Sequence, residues 1–181
     1  AARQIKPLVD AGASVFTFQN GVESADKVGA IVGAANVVAG TAQIAAVIKL
    51  CLGIIRRHKI APERVLAHSD IAPGRKVDPG EKFPWGSLAG EGIGNHAAPA
   101  PVQGGRFMSP GDEGQPVEAL QAMLALYGYE SPVTGVYDPA TLRNVKAFQL
   151  HFRPEKIDGI ADFSTVDTLH RLLKNCQKPM A

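Results

Sequence analysis

The segment His68-Ser69-Asp70-Ile71-Ala72-Pro73-Gly74-Arg75-Lys76-Val77-Asp78-Pro79-Gly80 concentrates most of the side chains that could do chemistry in this chain. His68 can offer a neutral imidazole nitrogen, and Asp78, beyond a Pro/Gly loop, can fold its carboxylate back to the same ion. Zinc accepts that mixture of donors, and its catalytic sites keep one position open for water. Bound zinc lowers the pKa of that water to about 7 and polarises a carbonyl. A nearby lysine such as Lys76 can stabilise the oxyanion that forms. Taken singly, each residue has a plainer reading: a histidine at a strand end is commonly structural, and Asp before Pro is a common turn former.

Hydrophobic periodicity predicts the elements that must position these residues. Arg64-Val65-Leu66-Ala67 reads as a short strand delivering His68 to its C-terminal end. Ahead of it, Ile44, Val47, Ile48, Cys51, Ile54 and Ile55 recur at helical spacing and predict a helix from Thr41 to His58. Arg56, Arg57 and His58 put cations in its last turn, where they complement the helix dipole, and Ala61-Pro62 stops it. Further upstream, Ser14–Phe18 reads as a buried strand ended by Gln19-Asn20-Gly21, Glu23–Val32 as a helix and Val37–Ala39 as a second strand. That is a βαβ unit, which implies a parallel sheet.

From Gly86 to Gly105, Gly, Ala and Pro dominate, and this stretch reads as a linker too poor in apolar surface to offset its ordering entropy. From Ser109 the pattern turns helical. A helix beginning at Pro116 carries Val117, Leu120, Met123, Leu124 and Tyr127 and ends at Gly128. An internal repeat follows: Gly135-Val136-Tyr137-Asp138-Pro139-Ala140-Thr141 and Gly159-Ile160-Ala161-Asp162-Phe163-Ser164-Thr165 both fit G-x-x-D-x-x-T. Each copy places Asp where a helix N-cap is wanted, and Pro139 takes the first helical position. Leu142, Val145 and Phe148 line the helix after the first cap, and Val166, Leu169 and Leu173 the helix after the second. The expected fold is a mixed α/β N-terminal part, an incomplete βαβ plus a strand–loop segment, joined to an all-α three-helix C-terminal domain.

Composition narrows the function classes. With 45% apolar and 20% charged residues, the 181-residue chain is ordinary for a globular protein of one or two small domains. A net charge of +2 gives no electrostatic case for nucleic acid. Cys51 and Cys176 lie far apart and form no CxxC motif, which argues against a disulfide framework or zinc knuckle. Asn36, Gln43 and Lys49 interrupt the one Ala/Gly/Val-rich run, so no membrane span is expected. No signal-peptide pattern is visible, although a chain that opens on Ala1 rather than Met can have lost a leader.

Residues 109–175 resemble the peptidoglycan-binding domain found at the ends of many cell-wall hydrolases. The matching runs are Gly114–Val117, Leu120-Gln121, Leu126–Tyr129, Thr134–Asp138, Ala147–Gln149 and Ile157–Gly159. The resemblance implies peptidoglycan as partner, glycan strand and stem peptide, and a place in the cell envelope or periplasm. It does not say which residues within 109–175 make the contacts.

The stretch from about Ile48 to Trp85 resembles the second half of a zinc-dependent N-acetylmuramoyl-L-alanine amidase, in the branch where H-S-D-I-A-P-x-R-K-x-D-P-G is followed by F-P-W, here Phe83-Pro84-Trp85. Such enzymes hydrolyse the amide between the muramyl lactyl group and the first alanine of the stem peptide. By that resemblance His68 and Asp78 are two of three zinc ligands and Lys76 is the oxyanion-stabilising residue. The family's first His ligand and its catalytic Glu have no counterpart, since His58, His96, His151 and His170 stand in other contexts. The expectation is therefore a cell-wall protein of amidase type that is catalytically incomplete, with a non-catalytic peptidoglycan-binding protein as the alternative.

Residues 1–48 resemble something else, the NADP-dependent ketopantoate reductase family, through Phe18–Glu23 and Val37–Ile48, with Asn20 aligned to a family Asn near the substrate. That family's Gly-rich nucleotide loop, catalytic Lys and C-terminal helical domain are absent, so a working reductase is not expected. The domain expectation is 1–48 reductase-like, 49–85 amidase-like, 86–108 linker and 109–175 peptidoglycan-binding, with a junction near Ile48.

Overall fold

Two parallel strands, β1 (Val15–Phe16) and β2 (Val37–Val38), pair with Val15 opposite Val37 and Phe16 opposite Val38. They belong to a computed structural model that describes residues 15–16, 37–38, 40–105 and 107–176. The expected helix at Glu23–Val32 and the Gln19-Asn20-Gly21 turn lie outside the described residues. The chain divides into two compact units, Ala1–Lys59 and Ile60–Ala181.

In the first unit, helix α1 spans Gly40–His58 and ends on Arg56, Arg57 and His58, as the periodicity predicts. Ile44, Ile48, Cys51 and Ile55 form its half-buried stripe, whereas Leu50 is exposed.

The second unit begins with a 3-10 turn at Pro62–Arg64, which takes up the first residue of the strand expected at Arg64–Ala67. Pro62 has no N–H to donate to a ladder, and the next amides bond locally: Arg64 N–H to the Ala61 carbonyl (2.9 Å) and Val65 N–H to the Pro62 carbonyl (3.1 Å). Val65 and Ala67 keep extended dihedrals, but no strand pairs with them among the described residues. His68 accordingly opens a short helix, α2 (His68–Ile71), rather than closing a strand. Helix α3 spans Trp85–Gly90.

Three helices then enclose the core: α4 (Gln115–Tyr127), α5 (Pro139–Phe152) and α6 (Phe163–Cys176). Val117, Leu120, Leu124, Val145, Phe148 and Leu169 are buried as expected. In the last helix Leu172 is fully buried, while Leu173 only packs against the core edge. Gly128, at φ 119°, ends α4, and the Tyr129 amide reaches back to the Leu124 carbonyl at 3.0 Å.

The sequence repeat is a repeat of hydrogen bonding. Asp138 Oδ1 accepts from the backbone N–H and the hydroxyl of Thr141 at 2.7 and 2.9 Å. Asp162 Oδ1 does the same for Thr165, at 2.8 Å for both. A buried glutamine from the preceding helix braces each copy. Gln121 donates to the Val136 carbonyl and Thr141 hydroxyl, both at 2.9 Å, and accepts from the Gly135 amide at 2.9 Å. Gln149 donates to the Ile160 carbonyl (2.9 Å) and Thr165 hydroxyl (3.2 Å) and accepts from the Gly159 amide at 2.8 Å. Buried Arg153 adds an ion pair to Asp162 at 3.2 Å in the second copy. Gly159 sits at φ 78°, and a Cβ there would collide with Leu142 and Lys146.

The stretch expected as a loose linker is instead fastened to the helices. Ile93 is 0% exposed, and Leu88, Ala97 and Ala100 are buried. The Ala100 amide donates to Thr168 Oγ1 at 3.1 Å, Ser164 Oγ donates to the Ala100 carbonyl, and Asn175 Nδ2 donates to the His96 carbonyl at 3.2 Å. A few small apolar residues plus satisfied backbone groups hold this segment where apolar content alone predicts freedom.

Candidate functional site

His68 and Asp78 meet. The His68 Nδ1 lies 2.9 Å from Asp78 Oδ2, with side chains 51% and 62% exposed. The loop between them is held by its own backbone: the Ala72 amide bonds the His68 carbonyl (3.0 Å), the Lys76 amide the Ala72 carbonyl (3.1 Å), and the Ser69 amide the Asp78 carbonyl (3.2 Å). The His68 hydrogen bond holds the Asp78 carboxyl below its usual range, and the positive charge of Lys76 contributes in the same direction. Lys76 itself is exposed. The corner thus offers one imidazole and one carboxylate facing each other in solvent, with a cation nearby. Among the described residues no group of three His, Cys, Asp or Glu side chains comes together.

What fixes this corner is Asp70, two residues after His68. Its Oδ2 accepts the Ala67 amide at 2.8 Å and faces His151 Nδ1 at 2.6 Å, and its Oδ1 accepts the Tyr129 hydroxyl at 2.7 Å. All of this is buried: the His151 and Asp70 side chains are 2% and 5% exposed. Burial, reinforced by the Asp70 charge, pushes the Tyr129 phenol well above its ordinary value, so it remains a donor. The Trp85 ring stacks on His151 at 3.9 Å, and His151 stacks in turn on Phe152 at 3.7 Å. Phe83 meets Trp85 edge-on at 4.7 Å.

Sequence reasoning did not single out Asp70, Tyr129 or His151 for this role. The available signal was the H-S-D run, in which the Asp falls on the face of a helical turn opposite to solvent. Its partners lie 59 and 81 residues away and leave no local trace.

Residues 29–81 match the N-acetylmuramoyl-L-alanine amidase family, and residues 113–169 match the peptidoglycan-binding domain family. One segment of the chain thus matches each family, in that order along the sequence. It is 43% identical over 136 residues to N-acetylmuramoyl-L-alanine amidase AmiD of Escherichia coli (strain K12), covering 74% of this chain and 48% of that protein. The solved complex of E. coli AmiD with anhydro-N-acetylmuramic acid-L-Ala-D-γ-Glu-L-Lys superposes with a TM-score of 0.59 at 41% identity, covering 74% of this chain and 52% of that one. AmpDh3 of Pseudomonas aeruginosa gives a TM-score of 0.58 at 33% identity, with the same coverage of 74% and 52%. The chain therefore spans about half the length of the relatives it matches. The ketopantoate reductase resemblance of residues 1–48 finds no support in these matches, since the amidase match itself reaches back to residue 29 and runs through Ile48 without a break. The His68–Asp78 pair falls in the amidase match, whereas Tyr129 and His151 fall in the peptidoglycan-binding match. The Asp70 lock thus joins one family segment to the other.

Proposed function

We propose that this chain acts at bacterial peptidoglycan, in the cell envelope or periplasm, as an amidase-type protein held on the wall by residues 109–175. The observation that carries this reading is the buried Asp70–His151–Tyr129 junction, which makes the amidase corner and the wall-binding helices parts of one body. The amidase portion ends near residue 85, and its N-terminal part is read as mixed α/β on the strength of the parallel β1–β2 pair followed by α1.

In this reading His68 and Asp78 contribute two zinc ligands and Lys76 stands by for the oxyanion. Bound zinc would supply an activated water for hydrolysis of the muramyl-L-alanine amide. The pair suits zinc's donor chemistry, but catalytic zinc takes three protein ligands, and no such group occurs among the described residues. The protein's own contribution is positional: Asp70 anchors α2, the Ser69 amide holds the Asp78 carbonyl, and the two donors face each other.

Titration calorimetry with zinc and co-sedimentation with purified sacculi test the reading on the full chain. The expected results are retention by sacculi and stoichiometric zinc uptake that His68→Ala abolishes. Retention without zinc uptake moves the assignment to the second reading, a wall-binding protein that does not hydrolyse. Failure to bind sacculi removes both.

A further inference from the structure

Helix α5 touches the His68–Asp78 corner at a second point besides His151. Gly74 lies in the turn between His68 and Asp78, two residues before Lys76. Its φ of 74° is left-handed, a conformation glycine adopts without strain. The space a Cβ would take there is filled by Arg143: it would collide with Arg143 Cδ and lie 2.9 Å from Cγ and 3.6 Å from Cβ. The Arg143 side chain therefore runs along the glycine backbone, methylene by methylene. Gly74 and Arg143 are both exposed, so each methylene is covered on one side only.

The guanidinium does not hold this arrangement. It makes no hydrogen bond or ion pair among the described residues, and its charge acts at longer range on the Asp138 carboxyl. What anchors the stem is the helix beneath it. Thr141 and Asn144, flanking Arg143, are buried and bonded, the Thr141 amide to Asp138 Oδ1 (2.7 Å) and Asn144 Nδ2 to the Glu130 carbonyl (2.8 Å). Arg143 and His151 stand eight residues apart on α5, a span of about 12 Å along the helix axis. His151 grips Asp70 at one end of this span, and Arg143 rests on Gly74 at the other. Ala72, midway between Asp70 and Gly74, is buried. The backbone is thus held at both ends of this stretch, and Lys76 and Asp78 follow directly.

We propose that Arg143 is a positioning residue: its aliphatic stem splints the loop that carries Lys76 and Asp78, so that His68 and Asp78 face each other before any ligand arrives. The segment that matches the peptidoglycan-binding family thereby stiffens the corner that matches the amidase family. Two methylenes covered on one side correspond to about a fourfold change in the loop's opening equilibrium. The splint stands on the Gly74 contact alone, whereas its consequence for zinc rests on the reading that His68 and Asp78 bind that metal.

Amide hydrogen exchange on the full chain reads the splint directly. The Ser69 amide, bonded to the Asp78 carbonyl at 3.2 Å, and the Lys76 amide, bonded to the Ala72 carbonyl at 3.1 Å, report loop opening. Arg143→Ala should speed exchange at both by about fourfold. The amides of Phe148 and Leu169 and the thermal transition should stay as in the wild type. Arg143→Met keeps an unbranched stem without the charge and should exchange like the wild type. Gly74→Ala puts a methyl where the stem lies, so it should cost less in the Arg143→Ala background than in the wild type. In zinc titration calorimetry, Arg143→Ala should weaken affinity by the same factor and Arg143→Met should not. Unchanged exchange at Ser69 and Lys76 in Arg143→Ala, or additive effects of the two substitutions, overturns the splint. Equal acceleration in Arg143→Met assigns the effect to the guanidinium and overturns it as well. A wild-type chain that takes up no zinc removes the zinc reading, and the exchange rates still decide the splint.

Discussion

Replacing Ile93 by alanine separates a fastened connection from a loose one. Ile93 lies in the Gly/Ala/Pro-rich stretch and is 0% exposed. Removing a buried isoleucine to alanine costs about 2–5 kcal/mol, because the transfer free energy is lost and a cavity remains. With a urea m-value of about 2 kcal/mol/M, a loss of about 3 kcal/mol lowers the unfolding midpoint by about 1.5 M. Trp85 makes the assay specific: it is the single tryptophan of the chain, it is buried and it stacks on His151. Its fluorescence therefore reports on the unit that contains Ile93 and not on α1. Ile93→Val should fall between, at about 0.5–1.5 kcal/mol. A change in Ile93→Ala below about 0.5 kcal/mol, the range of ordinary surface substitutions, would refute the packing argument and restore the loose-linker expectation.

Asp70→Ala should destabilise this unit by about 3–5 kcal/mol, since it strands the Tyr129 hydroxyl, the Ala67 amide and one His151 nitrogen in a buried site. Red-shifted Trp85 emission in the same urea titration checks it. Asp138→Ala should cost about 1 kcal/mol through loss of the α5 cap. The Thr141 amide holds the Asp138 carboxyl below its usual range, so the cap's contribution is complete above about pH 4 and disappears as pH falls through the lower folded value. The wild-type advantage over Asp138→Ala should therefore vanish in acid melts, and an advantage that persisted there would contradict the assignment. Gly159→Ala should cost more than about 1 kcal/mol, because it combines a left-handed backbone with collision against Leu142 and Lys146. Its thermal midpoint measures this directly.

The three C-terminal helices and both Asp caps were legible in the sequence because their signals are local: apolar residues at helical spacing, and Asp three residues before Thr. The pairing of His68 with Asp78 was legible too, since a Pro/Gly loop constrains where the chain can return. The short strand at Arg64–Ala67 was misread because its extended dihedrals and apolar residues satisfy a strand pattern, whereas pairing depends on a neighbour the pattern does not contain. The Asp70–His151–Tyr129 junction was invisible for a related reason. Each member taken alone has several ordinary uses, and only the folded chain brings them within hydrogen-bond reach. The Gly/Ala/Pro stretch misled differently: an average over composition conceals the single Ile93 and the backbone bonds at Ala100.

Because Asp70 is gripped by Tyr129, just past the end of α4, and by His151 of α5, the His68 corner is moored to the C-terminal helices. A partner that engages both must present its two contacts at one fixed offset. Loosening Asp70 would relax that offset without touching either contact.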